Sequence, residues 1–462
     1  MRYLSSHRLT YIFMSMFTLH CCSRPAHADI VAVNVSRDAY NADANFSVTV
    51  DHKQVFTNLV ATASHAEGST QAFTFTGNWG PGPHTITIRF LRDAYDKAPN
   101  LNRKLYIDNI SYNGIVYKEN VAELYNHAVD FSIMVADRPA ALEPGVNLSG
   151  MEISTQDIPG IPGTNYTVPT LAELVYYHSK GLNVVRLPVL WERLQQGLTS
   201  ASTPAIDPTY LGFVKTVLTE AGSLGMGVFV DIHDYGSYNG NKIGGGIITI
   251  DQFAAFWKLL ATQLHNTSGL LGYDLMNEPN AMPSAAVWPA AAQAAVYAIR
   301  SVDMNTLIAI EGDNWSAANA WAYSNGNLNI IDPSSRLIYE AHVYGDHDTS
   351  GSHYIWTQEV AQGVTVNTIA QRVAIFGAWC RNNSYLCMVG EIGVGNDNPA
   401  WNVELKNGLL QMKADGLISV SYWAGGQSWR DYPMTLEPTN GVDAPQMAVM
   451  ASFANKNNSK SQ

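Results

Sequence analysis

Two glutamates stand where apolar segments of the sequence stop. The run from Leu270 to Met276 ends in Asn277-Glu278-Pro279, and the later run LCMVGEIG carries Glu391 near its end. Two carboxylates that face each other can hydrolyse a glycosidic bond, because one protonates the leaving oxygen while the other attacks the anomeric carbon. A separation of about 5–5.5 Å between them predicts retention of anomeric configuration, and a wider gap that admits a water predicts inversion.

Other apolar runs also finish in ionisable, amide or aromatic side chains. Taken singly, each has an ordinary structural interpretation, since core arginines pair with acids, core histidines are hydrogen-bonded and tryptophans pack. Their repetition at run ends is hard to explain by packing. Three of them, Glu311, Asp313 and Trp315, stay open between a site and a structural role. The residues at the run ends are Arg186, His233, Asn277, Glu311, Asp313, Trp315, His342, Tyr344 and Trp423.

The elements that position these residues follow from the pattern beyond Ala141. Eight apolar runs of strand length alternate there with longer segments of helical period, which predicts an α/β fold, a (β/α)8 TIM barrel over residues 141–457. A doubly wound open sheet is the alternative, and it is weakened because no GxGxxG segment follows an early strand. The C-terminal ends of barrel strands open onto one face, so the run-end residues should meet there.

The order of these residues resembles glycoside hydrolase family 5, the cellulase-like family of retaining β-glycanases. The family pattern is Arg, His, Asn-Glu-Pro, His-x-Tyr, Glu and Trp, and this chain carries it in VVRLPV, DIHDYG, MNEP, HVYG, GEIG and SYWAGG. The resemblance covers residues 141 to about 455. It implies that Glu278 is the general acid/base and Glu391 the nucleophile. It also implies substrate-binding roles for Arg186, His233, Asn277, His342, Tyr344 and Trp423.

The implied roles have physical reasons. A nearby cation such as Arg186 would keep Glu391 ionised, and Tyr344 can donate a hydrogen bond to it. Glu278 needs a less polar setting and the negative charge of Glu391 to stay protonated. Asn277 can hold the sugar 2-hydroxyl, a contact that strengthens in the transition state.

Two other uses of these side chains remain as alternatives. His233, His342 and Glu391 can in principle hold zinc, although no HExxH or similar spacing supports such a site. Further aromatic side chains are either sugar platforms or packing residues. These are Trp191, Trp356 and Trp429.

Residues 29–118 differ in pattern from the rest of the chain. Apolar and polar residues alternate in FSVTVDHKQV, QAFTFTGNW and HTITIRFL, which predicts an all-β sandwich. The stretches GPGPHTITIRFLRDAYDKAP and RKLYIDNISYNG resemble calcium-dependent xylan-binding modules. The resemblance implies that Asp93 and Asp96 are calcium ligands, with a solvated acidic loop as the alternative. Residues 119–140 lack a clear period and are predicted to connect the two domains.

The first 28 residues have the features of an export signal. An apolar run from Leu9 to Leu19 follows basic residues, and Ala26-His-Ala28 supplies a small-x-small cleavage pattern. A membrane anchor is the alternative, but the run is short for a bilayer. We expect a soluble, secreted protein, periplasmic or extracellular. Its net charge of -12 argues against binding to nucleic acid or anionic membrane.

Two cysteines remain beyond the predicted signal. Cys380 and Cys387 stand in CRNNSYLC. In an oxidising compartment they predict a structural disulfide, with two buried thiols as the alternative.

We therefore expect a secreted retaining endo-β-glycanase, and foremost an endo-β-1,4-glucanase. It would act as a monomer on a plant-type or bacterial β-glycan polysaccharide, without a cofactor for catalysis. A lichenase, mannanase or xylanase is the alternative within the enzyme class, because those activities share the barrel motifs. A non-catalytic glycan-binding protein on a decayed barrel is the alternative outside it, and the intact Glu278 and Glu391 argue against it.

Overall fold

The computed structural model describes residues 29–51, 53–77, 79, 83–91, 102–112, 115–124, 130–136, 142–200, 202, 204–383 and 385–454. The predicted signal, residues 1–28, and the predicted calcium ligands Asp93 and Asp96 lie outside the described residues. Within those residues the chain forms two antiparallel sheets, followed by a closed parallel barrel.

The N-terminal unit is a sandwich of two four-stranded sheets. Its strands are β1 (Asp29–Asp38), β2 (Ala44–Val50), β3 (Lys53–Ala61), β4 (Gln71–Gly77), β5 (Pro83–Phe90), β6 (Lys104–Tyr112), β7 (Ile115–Leu124) and β8 (Asp130–Ala136). The strand orders of the two sheets are β4-β1-β6-β7 and β3-β2-β5-β8. Alternate side chains such as Val31, Val33, Phe46 and Val48 are buried between the sheets, as a period-two pattern requires.

The predicted connector over residues 119–140 is wrong for most of its length. Strand β7 pairs with β6, and β8 pairs with β5, so both belong to the sandwich. The β6–β7 register shifts twice, between Ile107 and Asn109 and between Ile110 and Ser111. Such shifts break the period-two alternation that identifies a strand in a sequence.

The C-terminal unit is a closed barrel of eight parallel strands, which confirms the predicted (β/α)8 fold. Each strand pairs with the next, and the last pairs with the first. All eight coincide with the predicted apolar runs. They are β9 (Glu143–Leu148), β10 (Val184–Val189), β11 (Gly227–Ile232), β14 (Leu270–Asp274), β15 (Leu307–Glu311), β16 (Leu337–Tyr344), β17 (Cys387–Gly393) and β18 (Ser419–Gly425), and a short hairpin after β11 supplies β12 (Ser237–Tyr238) and β13 (Asn241–Lys242).

Helices cover the outside of the barrel. Thr170 and Thr249 cap two of them with complete capping boxes, which satisfy the first backbone N–H groups of each helix. Within the described part of the chain, no helix combines the length and apolar character needed to cross a membrane. The helices are α1 (Leu171–Ser179), α2 (Trp191–Leu194), α3 (Pro208–Ser223), α4 (Ile250–Leu264), α5 (Val287–Arg300), α6 (Trp321–Ser324), α7 (Trp356–Ala361), α8 (Thr368–Asn383), α9 (Ala400–Asp415) and α10 (Pro445–Ala451).

A disulfide joins the end of one helix to the next strand. Cys380 lies in α8 and Cys387 is the first residue of β17. The bond ties the outer helix to the base of the strand that carries Glu391.

The barrel interior is filled in layers. The lowest layer is apolar and includes Phe229, Ala309 and Ile338. Two residues further along each of these strands the inward side chain is an acid, because side chains repeat with period two. We call this second level the polar layer. Its fully buried members are Asn147, Arg186, Asp231, Asp274, Glu311 and Glu340.

The sandwich contacts the barrel at the start of β16. The Thr85 hydroxyl donates a hydrogen bond of 2.9 Å to the carbonyl oxygen of Ser334. Asp51 lies 3.8 Å from the guanidinium of Arg336. Because β16 begins at Leu337, this contact lies at the end of the barrel opposite the C-terminal ends of the strands.

Candidate active site

Glu278 and Glu391 lie close together at the C-terminal ends of the barrel strands. Glu278 follows β14, and Glu391 lies in β17. One oxygen of each carboxylate and a ring nitrogen of His342 all lie within 4.8 Å of one another. Glu278 has a φ of 42°, a backbone conformation that is uncommon for residues other than glycine.

Glu391 is held in its ionised form. Nη1 of Arg186 lies 2.9 Å from one of its oxygens, and the Tyr344 hydroxyl donates a hydrogen bond of 2.5 Å to the other. Burial alone would raise the pKa of Glu391, but the charges of His342 and Arg186 outweigh it and hold the pKa below its usual value. The carboxylate is therefore ready to act as a nucleophile.

Arg186 is the central cation of the polar layer. Burial alone would lower its pKa, but Asp231 and Asp274 hold that pKa well above its usual value. The guanidinium thus stays charged although it is completely buried. Its partners, at 2.7–3.1 Å, are Asn147, Asp231, Asp274, Asn277, Glu311, Glu340 and Glu391.

The polar layer has more acids than one arginine can neutralise. Burial holds the pKa values of Asp231, Asp274 and Glu311 well above the usual range for carboxyl groups. Protons therefore replace the missing cations in the folded barrel.

We expect the barrel to lose stability as the pH rises. A carboxyl group with a raised folded pKa stabilises the native state below its unfolded pKa, about 4, and this contribution disappears as the pH rises through the folded value. The pKa of His342 is also raised, so the stability that its protonation contributes begins to disappear near pH 6.5, the usual pKa of a histidine. Calorimetry from pH 5 to 9 should show a falling Tm. Asp274→Asn, which mimics the protonated acid, should flatten the slope; a Tm that rises over this range would contradict the prediction.

His342 lies between the two glutamates. Its Nδ1 is 2.8 Å from Oε1 of Glu278, and its Nε2 is 3.4 Å from Glu311. Burial alone would lower the pKa of His342, but Glu311 and Glu391 raise it well above its usual value. The ring therefore carries a positive charge between carboxylates.

Glu311, whose role the sequence left open, contacts the backbone of Glu278. Its Oε2 accepts a 2.7 Å hydrogen bond from the backbone N–H of Glu278, and its Oε1 lies 2.8 Å from Arg186. One side chain thus connects the backbone at Glu278 with the cation that contacts Glu391.

His233 is neutral at ordinary pH and supports an aromatic wall. Burial lowers its pKa to about 4, and its Nδ1 bonds Asp231 at 2.7 Å. Its ring stacks on Trp423, with centroids 5.2 Å apart and planes inclined by 13°. Trp429 meets Trp423 at its edge. Trp423 and Trp429 thus form an apolar corner of two rings inclined by 72°, at the C-terminal end of β18.

The remaining aromatic candidates differ in how far their side chains are exposed to solvent. Trp191 is fully buried among Tyr238 and Phe256, and it serves packing. Trp356 packs edge-on against Trp401. Trp315 is 52% exposed, and its backbone N–H bonds the carbonyl oxygen of Pro279, next to Glu278.

Sequence reasoning missed four members of the polar layer. Asp231 and Glu340 each lie two residues before a histidine that was singled out, on the same face of the strand. Asn147 and Asp274 interrupt apolar runs in the same way. A polar residue inside a continuous apolar strand was the available signal.

Removal of the Tyr344 hydroxyl tests how Glu391 is kept ionised. Tyr344→Phe loses the 2.5 Å hydrogen bond to the carboxylate. Hydrogen bonds to charged groups contribute about 1.5–3 kcal/mol, so we expect kcat/KM to fall by about 10- to 100-fold. The pKa of Glu391 should rise, and the acid limb of the pH–rate profile should shift to higher pH.

The control is Tyr273→Phe, which removes a buried hydroxyl bonded to Asp303. It should leave the pH–rate profile unchanged. An unshifted acid limb in Tyr344→Phe would show that Tyr344 does not tune the pKa of Glu391.

Two family models match the chain. Residues 141–428 match cellulase (glycosyl hydrolase family 5), and residues 30–127 match a Ca-dependent carbohydrate-binding module, xylan-binding. Endo-β-1,4-glucanase B of Emericella nidulans is 32% identical over 302 residues, which are 64% of this chain and 87% of that protein. Endoglucanase 1 of Saitozyma flava is 31% identical over 307 residues, 65% of this chain and 86% of that protein.

A solved structure shares the barrel. Endoglucanase Cel5A of Pseudomonas stutzeri, in complex with cellobiose, matches with a TM-score of 0.64 at 37% identity. The match covers 68% of this chain and 92% of that one.

Proposed function

The chain belongs to glycosyl hydrolase family 5, and from this premise we propose that it is a secreted endo-β-1,4-glucanase that cleaves by double displacement. The observation that carries the proposal is the pairing of Glu278 and Glu391, with an oxygen of each within 4.8 Å of the other. This short distance agrees with a separation of about 5–5.5 Å between the two carboxyl groups of retaining enzymes, whereas inverting enzymes have a wider gap that leaves room for a water.

In the first step Glu391 attacks the anomeric carbon while Glu278 protonates the leaving oxygen. The attack forms a glycosyl ester on Glu391 and breaks the glycosidic bond. Glu391 loses its charge when it becomes the ester, and the electron pair of the broken bond stays on the leaving oxygen, which takes the proton of Glu278. Arg186 keeps its hydrogen bonds to the acids of the polar layer. The cation is thus never left buried without a partner.

In the second step a water replaces the leaving group. Glu278 removes its proton, and the water oxygen attacks the anomeric carbon to release Glu391. His342, bonded to Glu278 at 2.8 Å, fixes the orientation of that carboxylate in both steps. Two inversions at one carbon give net retention.

The sugar is held by an amide and an aromatic wall. Oδ1 of Asn277 accepts a 2.9 Å hydrogen bond from Arg186, which fixes the amide. Its Nδ2 is buried and has no hydrogen-bond partner among the described residues. An orphaned buried donor beside the two glutamates suits a bond to the sugar 2-hydroxyl. Trp423 supplies a flat face for a pyranose ring.

The test is product release from carboxymethyl-cellulose, mixed-linkage β-glucan, mannan and xylan, with wild type beside Glu391→Ala. We expect release from the two glucans, lost in the variant, and NMR should show the β-anomer first. Preference for mannan or xylan would replace the glucanase with another β-glycanase. Early α-anomer would contradict retention, and binding without any hydrolysis would favour a glycan-binding protein.

We further propose that the sandwich, residues 29–136, is a glycan-binding module and that residues 1–28 direct export. The match to a Ca-dependent carbohydrate-binding module over residues 30–127 supports the first part. Asp93 and Asp96 are the proposed calcium ligands. The signal-like pattern of residues 1–28 supports the second part.

A calcium chelator should separate binding from hydrolysis. We expect EGTA to abolish retention of the chain on insoluble xylan or cellulose, because the module would lose the ion that contacts the sugar diol. Turnover of soluble cello-oligosaccharides should be unchanged. Calcium should restore binding to wild type but not to Asp93→Ala. Unchanged polymer binding in EGTA would contradict the calcium proposal.

A further inference from the structure

The loop that follows β16 brings together two histidines and an aspartate outside the active site. These residues are His347, Asp348 and His353, and all three are exposed. One possible ligand atom of each lies within 4.8 Å of the others. The catalytic residues do not include them.

Buried carboxylates orient both imidazoles. Nδ1 of His347 lies 2.9 Å from Oε2 of Glu359, and Nδ1 of His353 lies 3.2 Å from Oδ2 of Asp346. A carboxylate at Nδ1 fixes the tautomer and leaves the lone pair on Nε2. The hydrogen bonds to both rings are at Nδ1, and Nδ1 of His353 also lies 3.4 Å from Oδ1 of Asp348. Histidines that bind metals in proteins are supported in this way.

The loop backbone is fixed before any ligand arrives. Asp346, which is 2% exposed, accepts hydrogen bonds from the backbone N–H groups of Gly351 and Ser352. Nη1 of Arg372 bonds the carbonyl oxygens of Tyr344 and Asp346, both at 2.6 Å. Donors on such a restrained loop lose little entropy when they bind an ion.

The charge and the atom types favour one class of cation. The carboxylates of Asp346, Asp348 and Glu359 all lie near the guanidinium of Arg372, so acids outnumber this arginine among the described residues of the loop and its supports. Two imidazole nitrogens and one carboxylate oxygen suit zinc, copper or nickel, whereas calcium takes six to eight oxygens.

We propose that His347, Asp348 and His353 bind a divalent transition-metal ion of the zinc, copper and nickel class. Asp346 and Glu359 would position the two histidines from behind.

The ion would stabilise the loop beside the active site. Gly351 has a φ of 67°, and a Cβ atom there would lie 2.9 Å from the Tyr344 ring. The Tyr432 hydroxyl donates a 3.1 Å hydrogen bond to the Gly351 carbonyl oxygen. The loop therefore packs directly on the tyrosine that contacts Glu391, and an ion that binds the folded loop raises Tm.

Zinc titration of the untagged, metal-free chain tests the proposal. Isothermal calorimetry at neutral pH should show that His353→Gln binds one Zn²⁺ fewer than wild type. Asp348→Asn should bind it about tenfold more weakly or worse, in line with the loss of a ligand. His178→Gln, which alters an exposed histidine elsewhere, should match wild type. Zn²⁺ should raise Tm in wild type and not in His353→Gln.

The proposal fails if wild type and His353→Gln bind the same number of Zn²⁺ ions. It also fails if Ca²⁺, added at the same concentration as Zn²⁺, displaces the bound zinc. Because the substituted side chains are exposed, circular dichroism should show native folding in each variant. These measurements do not depend on hydrolysis, so they test the metal site independently of the proposed function.

Discussion

Glu391→Ala is expected to lower kcat on cello-oligosaccharides by about 10⁴- to 10⁶-fold while the chain stays folded. The variant removes the oxygen that attacks the anomeric carbon. Arg186 keeps its contacts with the acids of the polar layer, so its buried guanidinium is not left without polar partners. Initial rates by reducing-sugar release, with circular dichroism for folding, would measure both quantities.

A small anion should enter the gap that Glu391→Ala leaves. With an activated aryl cellobioside, azide should restore turnover and give an α-glycosyl azide, because attack comes from the face that Glu391 occupied. Glu220→Ala, on the outer helix α3, should retain wild-type activity. A loss below tenfold, or rescue that yields the β-azide, would remove Glu391 from the role of nucleophile.

Glu278→Ala should show a loss that depends on the leaving group. On cello-oligosaccharides, whose leaving alcohol needs a proton, we expect kcat/KM to fall by about 10²- to 10⁴-fold. On a dinitrophenyl cellobioside, which needs no acid, kcat/KM should change little. The second step would still lack its base, so the glycosyl-enzyme should accumulate and appear as a burst.

Glu311→Gln is the matched comparison for Glu278→Ala. It retains an oxygen that can accept the backbone N–H of Glu278 but replaces the carboxyl group next to His342 by an amide. Its effect should be similar for both leaving groups. Equal losses on the two substrates in Glu278→Ala itself would rule out acid assistance by Glu278.

The sequence predicted the parts of the barrel that local pattern encodes. All eight strands appeared as apolar runs because strands buried on both faces need no alternation. Residues at the strand ends, such as Glu278 and Glu391, stood out because polar groups follow apolar ones there. Their proximity needed only the rule that barrel strands end on one face.

The rest depended on contacts between distant segments. Glu311 was ambiguous because its partners, Arg186 and the backbone of Glu278, are reached only when the barrel closes. Asp231 and Glu340 were hidden inside apolar runs, where one acid does not change the pattern. The positive charge of His342 arises from acids on two other strands, a property no local pattern contains.

The contact between Thr85 and Ser334 determines where the sandwich lies relative to the catalytic residues of the barrel. It places the sandwich at the base of the barrel, at the end opposite Glu278 and Glu391, so a polymer bound to the proposed glycan-binding module would not lead directly to the catalytic residues. Such a module would anchor the enzyme and raise the effective concentration of neighbouring polymer strands, without guiding one strand through successive cuts. The geometry therefore favours dispersed cleavage across a surface over processive degradation.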